Sequence, residues 1–291
     1  MNSHTVWGSV CSPCSPLFHV EQRSPCKDPS KDPVSRIIAV ANQKGGVGKT
    51  TTSVNLAASF AIAEQSVLLV DLDPQSNATS GLGLVPHSLS TTVYGCMSKG
   101  TLVSDVTVPT TVPKLSLAPA NADLVGAEVE LVNVDERECF LKRALADTIN
   151  QYDFIILDCP PALGILTLNA LVAASSVLIP VQCEYYAMEG LGRLMANVKR
   201  VQDSFNSQLQ LEGIVLTMYD SRNSLARQVS EEIRSHFKEK VYKTVIPRNV
   251  TLAEAPSYGR PVALYNAASV GAQAYLELAK EVMAHGEKSA G

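Results

Sequence analysis

The chain has 291 residues, of which 46% are hydrophobic, and its formal net charge is −4 at pH 7. That length and composition suffice for one α/β domain with a full hydrophobic core, and we expect a soluble, cytosolic protein. No apolar run approaches the roughly 18 residues of a membrane-spanning helix, because the longest runs, near residues 154–157 and 176–181, have strand length. Seven cysteines without regular spacing favour a reducing compartment over a disulfide framework.

Residues 1–33 differ in composition from the rest of the chain. They are rich in Ser, Pro and Cys and lack hydrophobic periodicity, so we predict a disordered extension followed by a single domain over residues 34–291. Cys11 and Cys14 have the C-x-x-C spacing of a zinc or redox pair, but no second pair accompanies them. The composition therefore favours plain thiols over a metal site.

From Ser35 onward, strand-length apolar runs alternate with helical stretches. Strands are predicted over residues 37–40, 67–70, 154–157, 177–180, 214–216 and 241–246. Helices are predicted over residues 52–63, 187–203, 223–238 and 268–284. This alternation predicts an α/β fold in which a mostly parallel, twisted sheet has helices on both faces and binds ligands at the carboxyl ends of its strands.

Residues 42–51, with the sequence NQKGGVGKTT, lie between the first predicted strand and the first predicted helix. This context predicts a phosphate-binding P-loop, although Gln43 replaces the usual first glycine. The glycines would let backbone N–H groups converge on phosphate oxygens, Lys49 would contact the β- and γ-phosphates, and Thr50 would ligate Mg²⁺. The predicted nucleotide-binding residues of the loop are Lys44, Gly45, Gly46, Val47, Gly48, Lys49, Thr50 and Thr51.

Carboxylates follow two of the predicted strands. Asp158 should emerge at the carboxyl edge of the sheet, where it would hold Mg²⁺ through water, and Asp71 is a second metal candidate. Asp73 lies two residues beyond Asp71, so both side chains would point the same way. Because Cys159 follows Asp158 where many fast ATPases have a glutamate base, we predict that Asp73 positions the attacking water; the alternative is a solvated turn residue before Pro74.

Six segments together resemble the ParA/Soj chromosome-partitioning ATPases of the deviant Walker A class. They read KGGVGKTT, VLLVDLDPQSNATSGLG, DFIILDCPPALG, PVQCEYYAMEGL, LTMYDSR and VIPRNVTLAEAPSYGRPVALY, in order between about Val34 and Ala284. The resemblance implies a P-loop NTPase fold and a slow, switch-like ATPase with ATP and Mg²⁺ as cofactors. It also implies an ATP-bound homodimer in which Lys44 reaches the phosphates held by the other subunit, neutralising charge that accumulates when both sites are filled.

The resemblance extends to the base of the nucleotide and to DNA. It places Met218, Pro247, Arg248 and Asn249 near the adenine, and it gives Arg222 a role in non-specific DNA binding by the ATP dimer. Residues 222–248 contain seven basic residues against three glutamates, although a solvated charged helix is the alternative reading.

A second DNA-binding arginine of the family is replaced by Thr251, which weakens the expectation of strong DNA binding, and Arg227 is the candidate to compensate. A ParB-like partner protein is expected to stimulate hydrolysis, and the protein is expected to associate with the nucleoid in the cytoplasm.

Two other classes of protein share the P-loop. A MinD-like membrane-cycling regulator of division-site placement would end in a basic amphipathic helix, but the last twelve residues are neither basic nor strongly apolar, so no stable membrane association is expected. An iron–sulfur carrier of the same superfamily would need cysteines shared across the dimer, for which Cys159 and Cys183 are the candidates.

Residues 17–22, LFHVEQ, suggest a different origin for the extension. One permitted codon choice contains the palindrome TGTTCCACGTGGAACA, which resembles the centromere-like site bound by ParB-type partners. We hypothesise that residues 1–33 are the translation of a DNA sequence that serves as the binding site of a ParB-type partner, and that the working protein starts near Val34. A chance match is the competing explanation.

Overall fold

The computed structural model describes residues 35–289, with side chains through residue 285. Its strands are β1 (Arg36–Val40), β2 (Val67–Asp71), β3 (Val108–Pro109), β4 (Leu115–Ala118), β5 (Phe154–Asp158), β6 (Ser176–Gln182), β7 (Gln210–Tyr219) and β8 (Val241–Pro247). They form one sheet in the order β3-β4-β2-β5-β1-β6-β7-β8. Every pairing is parallel except that of β3 with β4.

Helices cover both faces of this sheet, which confirms the predicted fold class. They are α1 (Lys49–Ile62), α2 (Asn77–Gly81), α3 (Val93–Ser98), α4 (Val103–Val106), α5 (Leu124–Glu130), α6 (Phe140–Ala144), α7 (Ile165–Ala173), α8 (Ala187–Ser204), α9 (Ser224–Phe237), α10 (Val250–Glu254), α11 (Val262–Tyr265) and α12 (Val270–Ser289). Helices α1, α2 and α10 to α12 contribute to the core on one face, and α3 to α9 contribute to the core on the other.

Strand β1 lies in the middle of the sheet between β5 and β6. Ile37 and Ala39 contribute to one core, whereas Ile38 and Val40 contribute to the other, as the period of two along a strand requires. A strand buried on both faces has no use for polar side chains, which explains its continuous apolar run. The loop that follows Val40 therefore starts at the carboxyl edge of a rigid central strand.

The region between β2 and β5 was predicted least well. It contains β3, β4 and the short helices α2 to α6, none of which was predicted. Elements of two to seven residues contain too few turns or alternations to produce a hydrophobic period. Among residues 35–289, no helix combines the length and apolar character needed to cross a bilayer. The predicted extension, with Cys11, Cys14 and residues 17–22, lies outside the described residues, and the domain limits stay a prediction.

Candidate active site

The P-loop joins β1 to α1 and takes its shape from two glycines. Gly46 and Gly48 have φ angles of 72° and 86°, which side chains with a Cβ rarely adopt, and Gly48 is the N-cap of α1. Thr217, near the end of β7, fixes the loop in place, because its Oγ1 donates a hydrogen bond to the Val47 carbonyl oxygen over 2.8 Å. The loop and the start of α1 together offer backbone N–H groups to an anion.

The two lysines of the loop have different surroundings. Lys49 is only 6% exposed, and its Nζ donates to the Lys44 carbonyl oxygen over 3.1 Å. Burial lowers the pKa of Lys49, and the carboxylate of Asp158 opposes that shift. The Lys44 side chain forms an ion pair with Glu184 and is 45% exposed. Lys49 therefore lies inside the site of its own chain, whereas Lys44 lies at the surface.

Asp158 ends β5 and is fully buried beside the P-loop. Its Oδ1 accepts a hydrogen bond from Ser53 Oγ over 2.8 Å, whereas its Oδ2 has no hydrogen-bond partner among the described residues. Burial, followed by the neighbouring Asp71, raises the pKa of the Asp158 carboxyl group, and the side chains of Ser53 and Thr50 oppose the shift. An unsatisfied, buried carboxylate oxygen close to the Thr50 hydroxyl fits a hydrated magnesium ion.

Ser53 was not predicted as a site residue. Its only signal in the sequence is a hydroxyl one helical turn after Lys49, on the same face of α1.

Asp71 and Asp73 form an anchored turn at the end of β2. Asp71 lies in register with Asp158 of β5. Its Oδ1 accepts the N–H of Asp73 over 3.1 Å, and its Oδ2 accepts the N–H and hydroxyl of Thr79 over 2.9 and 2.7 Å. Asp73 is 6% exposed, and its Oδ1 accepts the N–H of Gln75. Because both Asp71 oxygens are engaged with the chain, this carboxylate is better placed to hold the Asp73 turn than to ligate a metal directly.

The residues expected near the adenine lie at two adjacent strand ends. Met218 of β7 has a φ angle of 48°, and its side chain reaches the P-loop. Pro247, the last residue of β8, pairs with Tyr219, and the Arg248 N–H donates to the Tyr219 carbonyl oxygen over 3.2 Å. Asn249 caps α10 through its side-chain oxygen. The fold thus places Met218, Pro247 and Arg248 at neighbouring strand ends, with Met218 against the loop, while Asn249 caps the N-terminus of α10.

Known proteins share much of this sequence. A family model for an AAA domain matches residues 35–211. The sporulation initiation inhibitor protein Soj of Bacillus subtilis is 55% identical over 253 residues, which are 87% of this chain and 100% of Soj. The chromosome partitioning protein ParA of Myxococcus xanthus is 53% identical over 250 residues, which are 86% of this chain and 88% of ParA. The chain belongs to the Soj/ParA family of chromosome-partitioning ATPases.

A solved structure supports the cofactors of this Soj/ParA chain. Cobyrinic acid a,c-diamide synthase of Mycobacterium smegmatis, with a bound ATP analogue and magnesium, is 39% identical to it, with a TM-score of 0.77 over 88% of this chain and 97% of that one. ATP and Mg²⁺ are the cofactors, as the sequence predicted, and the chain is an ATPase. Bound Mg²⁺ supplies positive charge that offsets the phosphates, and Thr50 and Asp158 would hold it.

A turn after β7 carries the arginines expected to bind DNA in a Soj/ParA protein. The Arg222 side chain is 89% exposed, and its guanidinium donates two hydrogen bonds to Asp220 over 2.9 and 2.8 Å. These bonds lower the pKa of Asp220 to about 2. Arg227, in the first turn of α9, donates to the Ser221 carbonyl oxygen over 2.6 Å. Both arginines are exposed and held by the same turn, whereas Thr251 lies half-buried at the start of α10.

The cysteines proposed for an iron–sulfur relative of the Soj/ParA proteins are buried. Burial raises the pKa of Cys183 to about 11, and it raises the pKa of Cys159 well above the usual range of a thiol. In the part of the chain that the structure describes, no three His, Cys, Asp or Glu side chains are arranged to hold a metal ion. The iron–sulfur alternative gains no support from these residues.

Proposed function

We propose that ATP binding joins two copies of this chain in a sandwich dimer, that the dimer binds DNA non-specifically, and that slow hydrolysis releases it. A ParB-like partner protein stimulates the hydrolysis. The cycle serves the segregation of a chromosome or plasmid, and the protein works in the cytoplasm in association with the nucleoid. Membership of the Soj/ParA family supports this proposal, and the position of Lys44 carries it.

Lys44 is a cation that its own nucleotide site does not need. Lys49 already occupies the interior of that site, while Lys44 has nearly half of its side chain in solvent. Two nucleotides enclosed between two subunits leave an excess of negative charge at the interface. A lysine from each copy neutralises this charge only when both sites are filled, so ATP acts as the link between the copies.

Within each copy, the residues of the site have separate roles in this proposal. The backbone N–H groups of residues 45–51 and the Lys49 ammonium bind the phosphates, while Thr50 and Asp158 hold Mg²⁺. Asp73 orients the attacking water, and its carboxylate is near enough to influence the pKa of Lys49. Turnover is slow because Cys159, a buried thiol, follows Asp158 in place of a carboxylate base.

Arg222 binds DNA phosphates in the proposed dimer. It stands on an exposed turn with Arg227, and dimerisation presents two such turns to the same duplex. Contacts with phosphate need no base readout, so binding is independent of sequence and weakens as salt rises. Thr251 contributes no charge, so the affinity of the dimer for DNA is moderate.

The decisive experiment measures mass and DNA binding together. Light scattering and DNA co-sedimentation are carried out with ATP, with ADP and without nucleotide, across a salt series. A dimer and DNA binding should be seen with ATP but not in the other two conditions. A monomer with ATP would contradict the proposed cycle. Co-sedimentation with liposomes tests the MinD-like alternative, which requires ATP-dependent membrane binding.

A further inference from the structure

Helix α5 and the 3₁₀ turn that follows it (Leu131–Asn133) are apolar on their outer side. Val125, Val129 and Val132 are 51%, 72% and 55% exposed, and their spacing of four and three residues places them along one stripe. The inner side is apolar as well, because Leu124 and Ala127 belong to the core. A surface helix normally turns polar residues to water, so this second apolar face has no role in the folding of the described chain.

A cavity of about 230 Å³ adjoins this valine stripe. Its apolar lining comes from Leu131, Val132, Leu163, Ile165 and Leu168, and Glu128 and Arg137 also line it, so it lies between the 3₁₀ turn and the start of α7. A stripe of exposed valines beside an apolar recess is the shape that accepts the side chains of an amphipathic helix.

The segment that carries the valine stripe is acidic. Residues 121–138 contain six acidic side chains and one basic side chain, so this segment has a net charge of −5 while the whole chain has −4. The acidic residues at or near the surface are Asp123, Glu128, Glu130, Asp135 and Glu136, whereas Glu138 is buried and pairs with Arg137. Arg143, just beyond the segment, pairs with Glu136 and offsets one of these charges. The same face of a second copy, an anionic bilayer or DNA would be repelled, whereas a cationic helix would be attracted.

We propose that the outer face of α5, with the adjoining cavity, is the docking surface for a basic amphipathic helix of a partner protein. The valines bind its apolar stripe, and the acidic residues of the same segment that reach the surface bind its lysines and arginines. The position of the surface gives such a partner access to the nucleotide site. Leu163 and Ile165 belong to the segment that follows Asp158, and the Ala120 N–H donates over 3.0 Å to the Thr79 hydroxyl that holds Asp71.

The test uses a synthetic peptide that places leucines at helical spacing on one face and lysines on the other. Fluorescence anisotropy should show binding to the parent chain. A Val125→Ser/Val129→Ser variant should bind the peptide at least about tenfold more weakly. The matched control, Val85→Ser/Val270→Ser, also removes two exposed valines and should retain the parent affinity. Equal affinities for the parent and the Val125→Ser/Val129→Ser variant would overturn the proposal.

Further arms separate this partner from other occupants. A peptide of the same charge with serines in place of leucines should lose most of its affinity, and tight binding of that peptide would also overturn the proposal. Light scattering with ATP should show the same mass for the Val125→Ser/Val129→Ser variant as for the parent. A variant that no longer dimerises would assign the valines to a contact between copies instead. Peptide affinity does not depend on dimerisation or DNA binding, so a failure of the proposed cycle remains distinguishable.

Discussion

Lys44 forms an ion pair with Glu184 of its own chain, and each side chain is nearly half exposed. An exposed ion pair contributes roughly 0–1 kcal/mol, which is too little to compete with the phosphates of a bound nucleotide. Glu184 therefore holds Lys44 loosely at the surface until a better anion is available. The pair is exposed at the same side of the molecule as the P-loop, where the proposed second copy would dock.

The first prediction follows from this pair. Lys44→Ala should raise the protein concentration needed for ATP-dependent dimerisation by at least about tenfold, because the interface loses a charge that the phosphates require. Light scattering over a concentration series measures the effect. Lys199→Ala, which removes another lysine from an exposed ion pair, is the control and should dimerise normally. A Lys44→Ala dimer at the concentration of the parent would exclude the proposed role.

The second prediction concerns turnover. Asp73→Ala should bind ATP and dimerise but lose at least about 99% of its ATPase activity, since the attacking water is no longer oriented. Phosphate release and light scattering, measured on the same preparation, separate the two effects. Undiminished hydrolysis would remove Asp73 from the mechanism. Loss of dimerisation would instead indicate that the Asp73 turn supports the interface.

A third prediction combines stability with cofactor binding at Asp158. In the absence of nucleotide, the free energy of unfolding of Asp158→Asn should exceed that of the parent by at least about 1 kcal/mol, because a buried carboxylate with an unsatisfied oxygen is replaced by a neutral amide. The variant should therefore unfold at a higher temperature. The same variant should gain little further stability from Mg²⁺ and ATP, whereas the parent should gain much. Thermal unfolding with and without Mg²⁺ and ATP shows both effects. A destabilised variant without nucleotide would mean that the carboxylate mainly supports the fold.

Sequence patterns predicted these positions to different degrees. The position of Asp158 at the end of β5 was predicted because a carboxylate after an apolar strand lies at the ligand-binding edge of a parallel sheet. Ser53 was missed because a hydroxyl on a helix has no defined target until β5 is placed beside it. Asp71 as a metal ligand stays a prediction, and its hydrogen bonds from Thr79 could not be predicted because they depend on a turn whose shape the pattern does not encode.

The fourth prediction tests the DNA-binding turn. Arg222→Glu should abolish ATP-dependent DNA binding and leave the ATP dimer intact, because it reverses the charge of a side chain that is 89% exposed. DNA co-sedimentation at low salt, with light scattering in parallel, measures both. Arg193→Glu makes the same change at an exposed position of α8 and should bind DNA as the parent does. Loss of the dimer in Arg222→Glu would show that the residue has a structural role.

The fifth prediction adds a charge at Thr251, where the resemblance to ParA/Soj proteins predicts an arginine. Thr251→Arg should tighten DNA binding. A plot of the logarithm of the binding constant against the logarithm of salt concentration should become steeper by the amount that about one additional phosphate contact produces. Titrations at four or more salt concentrations give the slope. Since Thr251 begins α10 while Arg222 follows β7, the two changes should act independently. An unchanged slope would show that position 251 does not face the duplex.

Strand β7 links two events that the proposed cycle must keep in step. Thr217 holds the P-loop through the Val47 carbonyl oxygen, and the same short stretch of backbone continues through Met218 to the turn of Asp220 and Arg222. A change of loop shape on ATP hydrolysis would therefore pass along only five residues of backbone, from Thr217 to Arg222, before it alters the arginine. The contact that senses the nucleotide and the residue proposed to bind DNA thus lie on one strand and the turn that follows it, so no separate moving domain is needed to couple them.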